Sequence, residues 1–362
     1  MYPVTIPSKW QLAARKLFYA GSMAMLAILA LCCVGFILSR HEGLVKWYYS
    51  LNSCFYHKTT WSTDFFTPAV KSAGNYYCAV AALLAICGID FCIKAYRQKK
   101  QPTKLTINFH LADIISVAAL LFAVIALWVW GNNLAKPAFD EVFSAQHIAG
   151  SHPFQAMSYY MQPNNHVLFN LINNVLFHFT DDKVATGRII SLLACCKLMA
   201  LLFIGFYALI RNRWLTLLLC LGLALQFFVW GFSFQARGYE LYLLAEWGMV
   251  ISLFAYISTL QKQRLHINVL CCVAGYFCLP SFLYIHAAQL IFYALYQITS
   301  GIRNLIFWKN QFFTFSLAYL CYLPTLCFSG IKTITSNSYV APMSKSASAQ
   351  MFWSAVLPDT EK

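Results

Sequence analysis

Apolar runs of membrane-crossing length, roughly 17 to 25 residues, follow one another along most of this sequence. They fall near 17–38, 73–95, 111–131, 185–210, 214–232, 239–260, 267–284, 285–300 and 311–329, with Pro280 and Ser281 interrupting the pair 267–300 and leaving each half short. Lipid offers no partner to a bare backbone N–H or C=O. The pattern therefore predicts an all-α fold, a polytopic transmembrane bundle of about nine helices. Composition agrees: 60% hydrophobic, 17% aromatic and 10% charged residues over 362 positions exclude an ordinary soluble domain.

The net charge of +14 does not point to nucleic acid. Its Lys and Arg residues mostly fill the gaps between runs, which is a topology signal. Lys9, Arg15 and Lys16 precede the first run, Arg97, Lys99, Lys100 and Lys104 join the second to the third, and Arg211, Arg213, Lys262, Arg264, Arg303 and Lys309 mark later loops. With nine spans all of these share one side, the cytoplasm, with the N-terminus. Most of the fourteen cysteines, including the pairs Cys32-Cys33, Cys195-Cys196 and Cys271-Cys272, lie inside apolar runs and read as small packing residues. The first run is long and lacks a small-x-small cleavage pattern, so it reads as a retained span rather than a signal peptide.

Three regions follow from this layout. Residues 1–105 form a two-span hairpin whose outer loop, 39–72, is aromatic and mildly basic and belongs at the membrane interface. Residues 106–329 form the core, with a long outer loop at 132–184. Residues 330–362 are a polar outer tail that reads as the start of a further loop or domain.

The outer loop opens with "KPAFDEVFSAQHIAG". Asp140 and Glu141 fall in the first turn of a helix after Pro137, where acids offset the macrodipole by about 0.3 to 1 kcal/mol. A second reading is chemical: Asp140, Ser144 and His147 share a face at helical spacing and can bind a metal or pass a proton. Further on, "NNHVLFNLINNVLFHF" is too short to span. It predicts a juxtamembrane helix with His166, Asn170 and Asn173 or Asn174 on one face and Leu168, Leu171, Ile172, Val175 and Phe179 on the other. Arg188 heads one span, Arg237 and Tyr239 head another, and His286 follows "LPSFLYIH"; all converge on the leaflet of Asp140 and Glu141. Each alone is an ordinary membrane-interface or packing residue. Together, carboxylates beside arginines suit a lipid-linked phosphate and an acceptor that loses a proton. Lys197 and Glu246 lie deep within spans, and their cost in lipid predicts that they pair between neighbouring helices.

The order "FDEVFSAQHIA", "QPNNHVLFNLIN", an Arg heading a span in "DDKVATGRIISLL", then "QARGY" heading another resembles the GT-C superfamily of integral membrane glycosyltransferases. The similarity, over about 110–345, is to the protein O-mannosyltransferase-like and aminoarabinose transferase-like branch, which uses polyprenyl-phosphate sugars. The resemblance implies transfer of a sugar from a polyprenyl-phosphate-linked donor to a lipid, glycan or protein acceptor at the outer face of a bacterial inner membrane, with inversion. It implies Asp140 and its partner Glu141 as catalytic acids, Arg188, Arg237 and Tyr239 near the donor phosphate, and His147, Asn165, His166 and His286 as candidate metal or substrate contacts. A divalent metal ion (Mg, Mn or Zn) would be the cofactor. The alternative left open is a non-catalytic membrane protein, a lipid-linked-substrate transporter or a truncated pseudoenzyme.

Overall fold

The computed structural model describes residues 9–52, 58–97, 110–160, 165–176, 179–180, 182–302 and 304–335; its regular elements are helices, with no strand among the described residues. The N-terminal region comprises α1 (Lys9–Leu38), α2 (His41–Leu51), α3 (Lys58–Thr60, continued by a π-helical turn Trp61–Phe65) and α4 (Pro68–Arg97). The core begins with α5 (Leu111–Leu134). The loop after it carries α6 (Phe139–Phe143, continued by a π-helical turn Ser144–Ala149), α7 (Pro153–Ser158) and α8 (Val167–Leu176). There follow α9 (Lys183–Ile210), α10 (Arg213–Ala224), α11 (Phe227–Ser233), α12 (Tyr239–Thr259), α13 (Lys262–Cys278), α14 (Phe282–Ser300), α15 (Leu305–Phe328) and α16 (Lys332–Thr335).

Local chemistry sets several of these boundaries. Asp182 caps α9 by accepting from the N–H groups of Val184 and Ala185, both at 2.9 Å, and Asn212 and Asn304 cap α10 and α15 in the same way. Gly301, at φ 68°, closes α14 in the left-handed conformation that costs glycine nothing.

Among the described residues, six helices are long and apolar enough to cross a membrane: Lys16–Leu38, Pro68–Lys94, Leu111–Leu134, Lys183–Ile210, Tyr239–Thr259 and Leu305–Phe328. The chain is thus an all-α, multi-pass membrane protein. The other three expected crossings are shorter helices. The run 214–232 breaks at Leu225 and Gln226 into α10 and α11, with Gln226 the polar residue at the break and no proline there. Pro280, unable to donate to a helix, separates α13 from α14, and His286, Gln289 and Gln297 dilute the apolarity of α14.

Side-chain ties register the core. At one end of α5, Arg213 Nε lies 3.0 Å from Oδ1 of the buried Asp113. At the other, Trp230 of α11 donates to the carbonyl of Leu127 at 3.0 Å and stacks on Trp130. The broken pair α10 and α11 therefore runs the length of α5. Helix α9 packs against both α5 and α12, and α13 joins α12 to α15.

The N-terminal hairpin of α1 and α4 docks on α15. Three aromatics of loop 39–72, the loop expected at the membrane interface, build a buried stack: Tyr48 on Trp61 at 4.1 Å, Trp61 on Phe66, and Phe66 on Phe328 of α15. Tyr48 bonds Ser158 at 2.9 Å and Trp61 donates to the Phe328 carbonyl at 3.0 Å. Rings that find polar partners for their own polar atoms gain more from burial than from the headgroup region.

The expected pairing of Lys197 with Glu246 is absent from the ion pairs among the described residues. Lys197 is exposed on α9 and Glu246 is half-buried on α12. The two helices meet instead through small residues and aliphatic chains, Gly205 against Ile251 and Gly248 near Leu201.

Candidate functional site

The C-terminal end of α5 and the N-terminal ends of α9 and α12 meet, and four charged side chains converge there. Asp140 and Glu141 are adjacent on α6, so their side chains leave it about 100° apart, and the two carboxylates have opposite fates. Glu141, only 2% exposed, turns inward; Asp140 keeps 60% of its side chain exposed.

Glu141 accepts four N–H bonds. Its Oε2 takes the backbone N–H of Ala138 at 2.7 Å, the reciprocal half of a capping box, and Nη2 of Arg188 at 3.1 Å. Its Oε1 takes Nε of Arg188 at 3.1 Å and the backbone N–H of Ala236 at 2.6 Å. This is the two-pronged geometry in which a guanidinium fits a carboxylate best. Arg188 completes its own set by donating from Nη1 to Asn132 Oδ1 at 2.9 Å and to the Ala135 carbonyl at 3.1 Å. One buried ion pair thus ties the end of α5, the turn into α6, the start of α9 and the loop before α12. Close approach requires glycine at 187, where a Cβ would lie 2.7 Å from that of Ala236.

Arg237 forms the second pair. Ser191 of α9 donates to the carbonyls of Gln235 and Arg237, fixing the loop. The guanidinium then reaches three ways: Nη1 to Asp140 Oδ2 at 2.9 Å, Nη2 to the Tyr239 hydroxyl at 3.1 Å and Nε to His166 Nε2 at 3.2 Å. His166 accepts from a cation, so its Nε2 carries no proton and the ring is the neutral Nδ1–H form. Burial, and then the positive charge of Arg237, hold its pKa well below the usual histidine range. The Tyr239 ring stacks on Phe232 and meets His166 edge-on. Gly238 leaves room for His166, whose Cβ would be 2.8 Å from an added Cβ.

The polar residues of α8 serve the backbone. Asn170, Asn173 and Asn174 are buried, while Val175 and Phe179 on the apolar side are exposed. Asn174 donates to the carbonyls of Ala149 and Ser151, Asn173 to that of Lys183, and Asn170 to Asn165 Oδ1. Asn165, a candidate contact, is itself spent on the carbonyls of Ala156 and Tyr159; the preceding Pro163 and Asn164 lie outside the described residues.

Two further candidates stand apart. A π-helical turn begins at Ser144; Ser144 is buried, His147 half-buried and the preceding Asp140 exposed. His286 belongs to a separate buried network, with Tyr276 at 2.9 Å and Gln311 at 2.8 Å on its two ring nitrogens. Glutamine and asparagine extend that network through Gln289 and Asn268.

Glu141 is saturated by N–H groups, Asp140 faces a guanidinium, and no three His, Cys, Asp or Glu side chains come together as a cation site among the described residues.

Two residues at this end escape sequence reasoning. Asn132, which orients Arg188, is signalled only by the polar pair Asn132-Asn133 ending an apolar run. Glu240, beside Tyr239, is fully buried next to Cys195. Compared with known proteins, the chain matches no family model, no curated protein and no solved structure.

Proposed function

We propose that this protein is a GT-C-type glycosyltransferase that moves a sugar from a polyprenyl-phosphate donor to a lipid, glycan or protein acceptor. The observation that carries the reading is the division of labour in the dipeptide: an exposed Asp140, held 2.9 Å from a guanidinium that is itself braced by His166 and Tyr239, beside a Glu141 sealed into the scaffold. In this reading the end bearing Asp140 faces outward from a bacterial inner membrane. The opposite end, with Arg97, Arg211, Arg213, Lys262, Arg264 and Lys309, faces the cytoplasm. The chain then crosses nine times, α10 with α11 making one pass and α13 and α14 two more.

The chemistry follows from the residues. The donor phosphate takes the guanidinium of Arg237 in place of Asp140, a bidentate exchange that arginine geometry favours. Released from its ion pair, the Asp140 carboxylate accepts the proton of the acceptor hydroxyl or amine. The acceptor atom bonds to the anomeric carbon as the anomeric C–O bond to phosphate breaks. Arg237 and the Tyr239 hydroxyl stabilise the charge that develops on the leaving polyprenyl phosphate. Glu141 and Arg188 touch neither reactant and keep the ends of α5, α9 and α12 in register.

Transfer of radiolabelled sugar from polyprenyl-phosphate donors in membranes expressing wild type or Asp140→Asn, with and without chelator, tests this. Product from the wild type, unchanged by chelator and lost in the variant, is expected. Equal product from both removes Asp140 from the mechanism. The alternative, a non-catalytic transporter of lipid-linked substrate, draws on the buried network of Asn268, His286, Gln289 and Gln311; it predicts substrate movement across vesicles without transfer, abolished by His286→Ala and indifferent to Asp140.

A further inference from the structure

Three cysteines from three helices meet beneath the N-terminal aromatic stack: Cys33 of α1, Cys78 of α4 and Cys327 of α15, all buried. The sulfurs of Cys78 and Cys327 are 3.5 Å apart although the residues are 249 positions apart in sequence. Cys33 lies in the same buried cluster as Cys78 and Cys327.

The main chains are close for a sequence-encoded reason. Gly74, Cys78 and Ala81 form a stripe of small residues on one face of α4, spaced to let another helix approach. At Gly74 an added Cβ would lie 3.5 Å from the backbone Cα of Cys327, and the Cys327 thiol reaches the Gly74 carbonyl at 3.7 Å. A disulfide needs Cα atoms about 4.4 to 6.8 Å apart and sulfurs about 2.05 Å apart. The two thiols already touch across this close crossing, which leaves a short distance to bonding separation.

The location suits oxidation. Cys327 precedes Phe328, whose carbonyl accepts from Trp61, and Thr325 and Ser329 donate to the carbonyls of Met157 and Ser158 in the loop that also carries Asp140. The trio therefore sits at the site end of the bundle. If that end is outside, the chain emerges there into an oxidising compartment.

We propose that Cys78 and Cys327 are joined by a disulfide in the mature protein, with Cys33 retained as a thiol against it. The inference rests on the orientation in the proposed function. The two thiols give two protons and two electrons to a disulfide-bearing thiol oxidant of that compartment, which leaves as its dithiol, and the S–S bond forms before packing buries the pair. The bond locks the N-terminal hairpin to α15, so the aromatic stack and α7 are held against the core covalently.

The test counts thiols on full-length protein from membranes. The protein is denatured under acid-quenched, non-reducing conditions and labelled with a polyethylene-glycol maleimide, and peptides are mapped by mass spectrometry. Two fewer modified thiols than after reduction, a Cys78–Cys327 linked peptide, persistence of the bond in Cys33→Ala and its loss in Cys78→Ala and Cys327→Ala are expected. Full labelling without reductant, or a linked peptide joining Cys33 to Cys78, overturns the proposal. Diamide treatment of the purified wild type then separates the causes of failure. A bond formed by diamide but absent from cells means that the site end does not face an oxidising compartment. No bond even with diamide means that the geometry is wrong and leaves the orientation standing.

Discussion

Replacing Glu141 by Gln preserves shape and removes charge at a buried position of the site. All four partners of the carboxylate are N–H donors: Ala138, Ala236 and two nitrogens of Arg188. A glutamine carbonyl satisfies two of them, and its NH2 group meets the other two head-on. Two buried donors left unpaired cost about 1 to 3 kcal/mol each, in line with the roughly 3 to 5 kcal/mol lost when one partner of a buried ion pair is removed. At roughly 2 °C per kcal/mol for a chain of this size, the variant should melt about 6 to 10 °C below the wild type. Melting in detergent, followed with a thiol-reactive fluorophore that reports exposure of the buried Cys195, Cys220 and Cys272, reads this directly. Arg188→Met should cost a similar amount, because it strands the carboxylate. The double variant should cost little more than either single one, since each single change has already lost the shared contact. A Glu141→Gln protein melting within about 2 °C of wild type, or a double variant whose loss is the sum of the singles, would refute the assignment of this pair to the scaffold.

Further predictions concern the rest of the site. Asp140→Asn, at an exposed position, should change stability by less than about 1 kcal/mol while abolishing transfer, and a melting shift as large as that of Glu141→Gln would contradict this. The pKa of His166 lies below its unfolded value of about 6.5, so the unfolded chain takes up the proton first as pH falls. Its contribution to stability is therefore complete above about pH 6.5 and declines by about 1.4 kcal/mol per pH unit below it; melting curves from pH 7.5 to 5 should fall more steeply for the wild type than for His166→Gln, and parallel curves would exclude the effect. Asn174→Ala strands the carbonyls of Ala149 and Ser151 and should cost about 1 to 3 kcal/mol, measured in the same melting assay.

What could be read from the residues divides along physical lines. Length and apolarity are local properties, so six long spans were legible, as was the two-faced character of the helix around Asn170. The break between α10 and α11 was marked only by Gln226, a single polar residue within an apolar run, and the π-helical turn Ser144–Ala149 is not encoded by spacing alone. Glu141 and Arg188 were both visible as candidates for chemistry, but their mutual saturation across 47 positions is a tertiary fact. Sequence showed that carboxylates and arginines gather at one end; only contacts assign Arg188 to Glu141 and Arg237 to Asp140. Lys197 and Glu246 were paired on energetic grounds alone, whereas the fold leaves Lys197 exposed on α9 and Glu246 half-buried on α12.

The dipeptide at 140 and 141 is also not commutative. Glutamate at 141 has the length to fold back on the amide of Ala138 and still span the fork of Arg188, whereas aspartate there would be one methylene short of both. Glutamate at 140 would carry the exposed carboxylate past the point where Arg237 meets it. A chain with the two acids transposed keeps its composition, charge and hydropathy profile, yet surrenders its keystone and misaims its base in one step. Order within two residues thus encodes a distinction between holding and reacting that no measure of the sequence insensitive to that order can register.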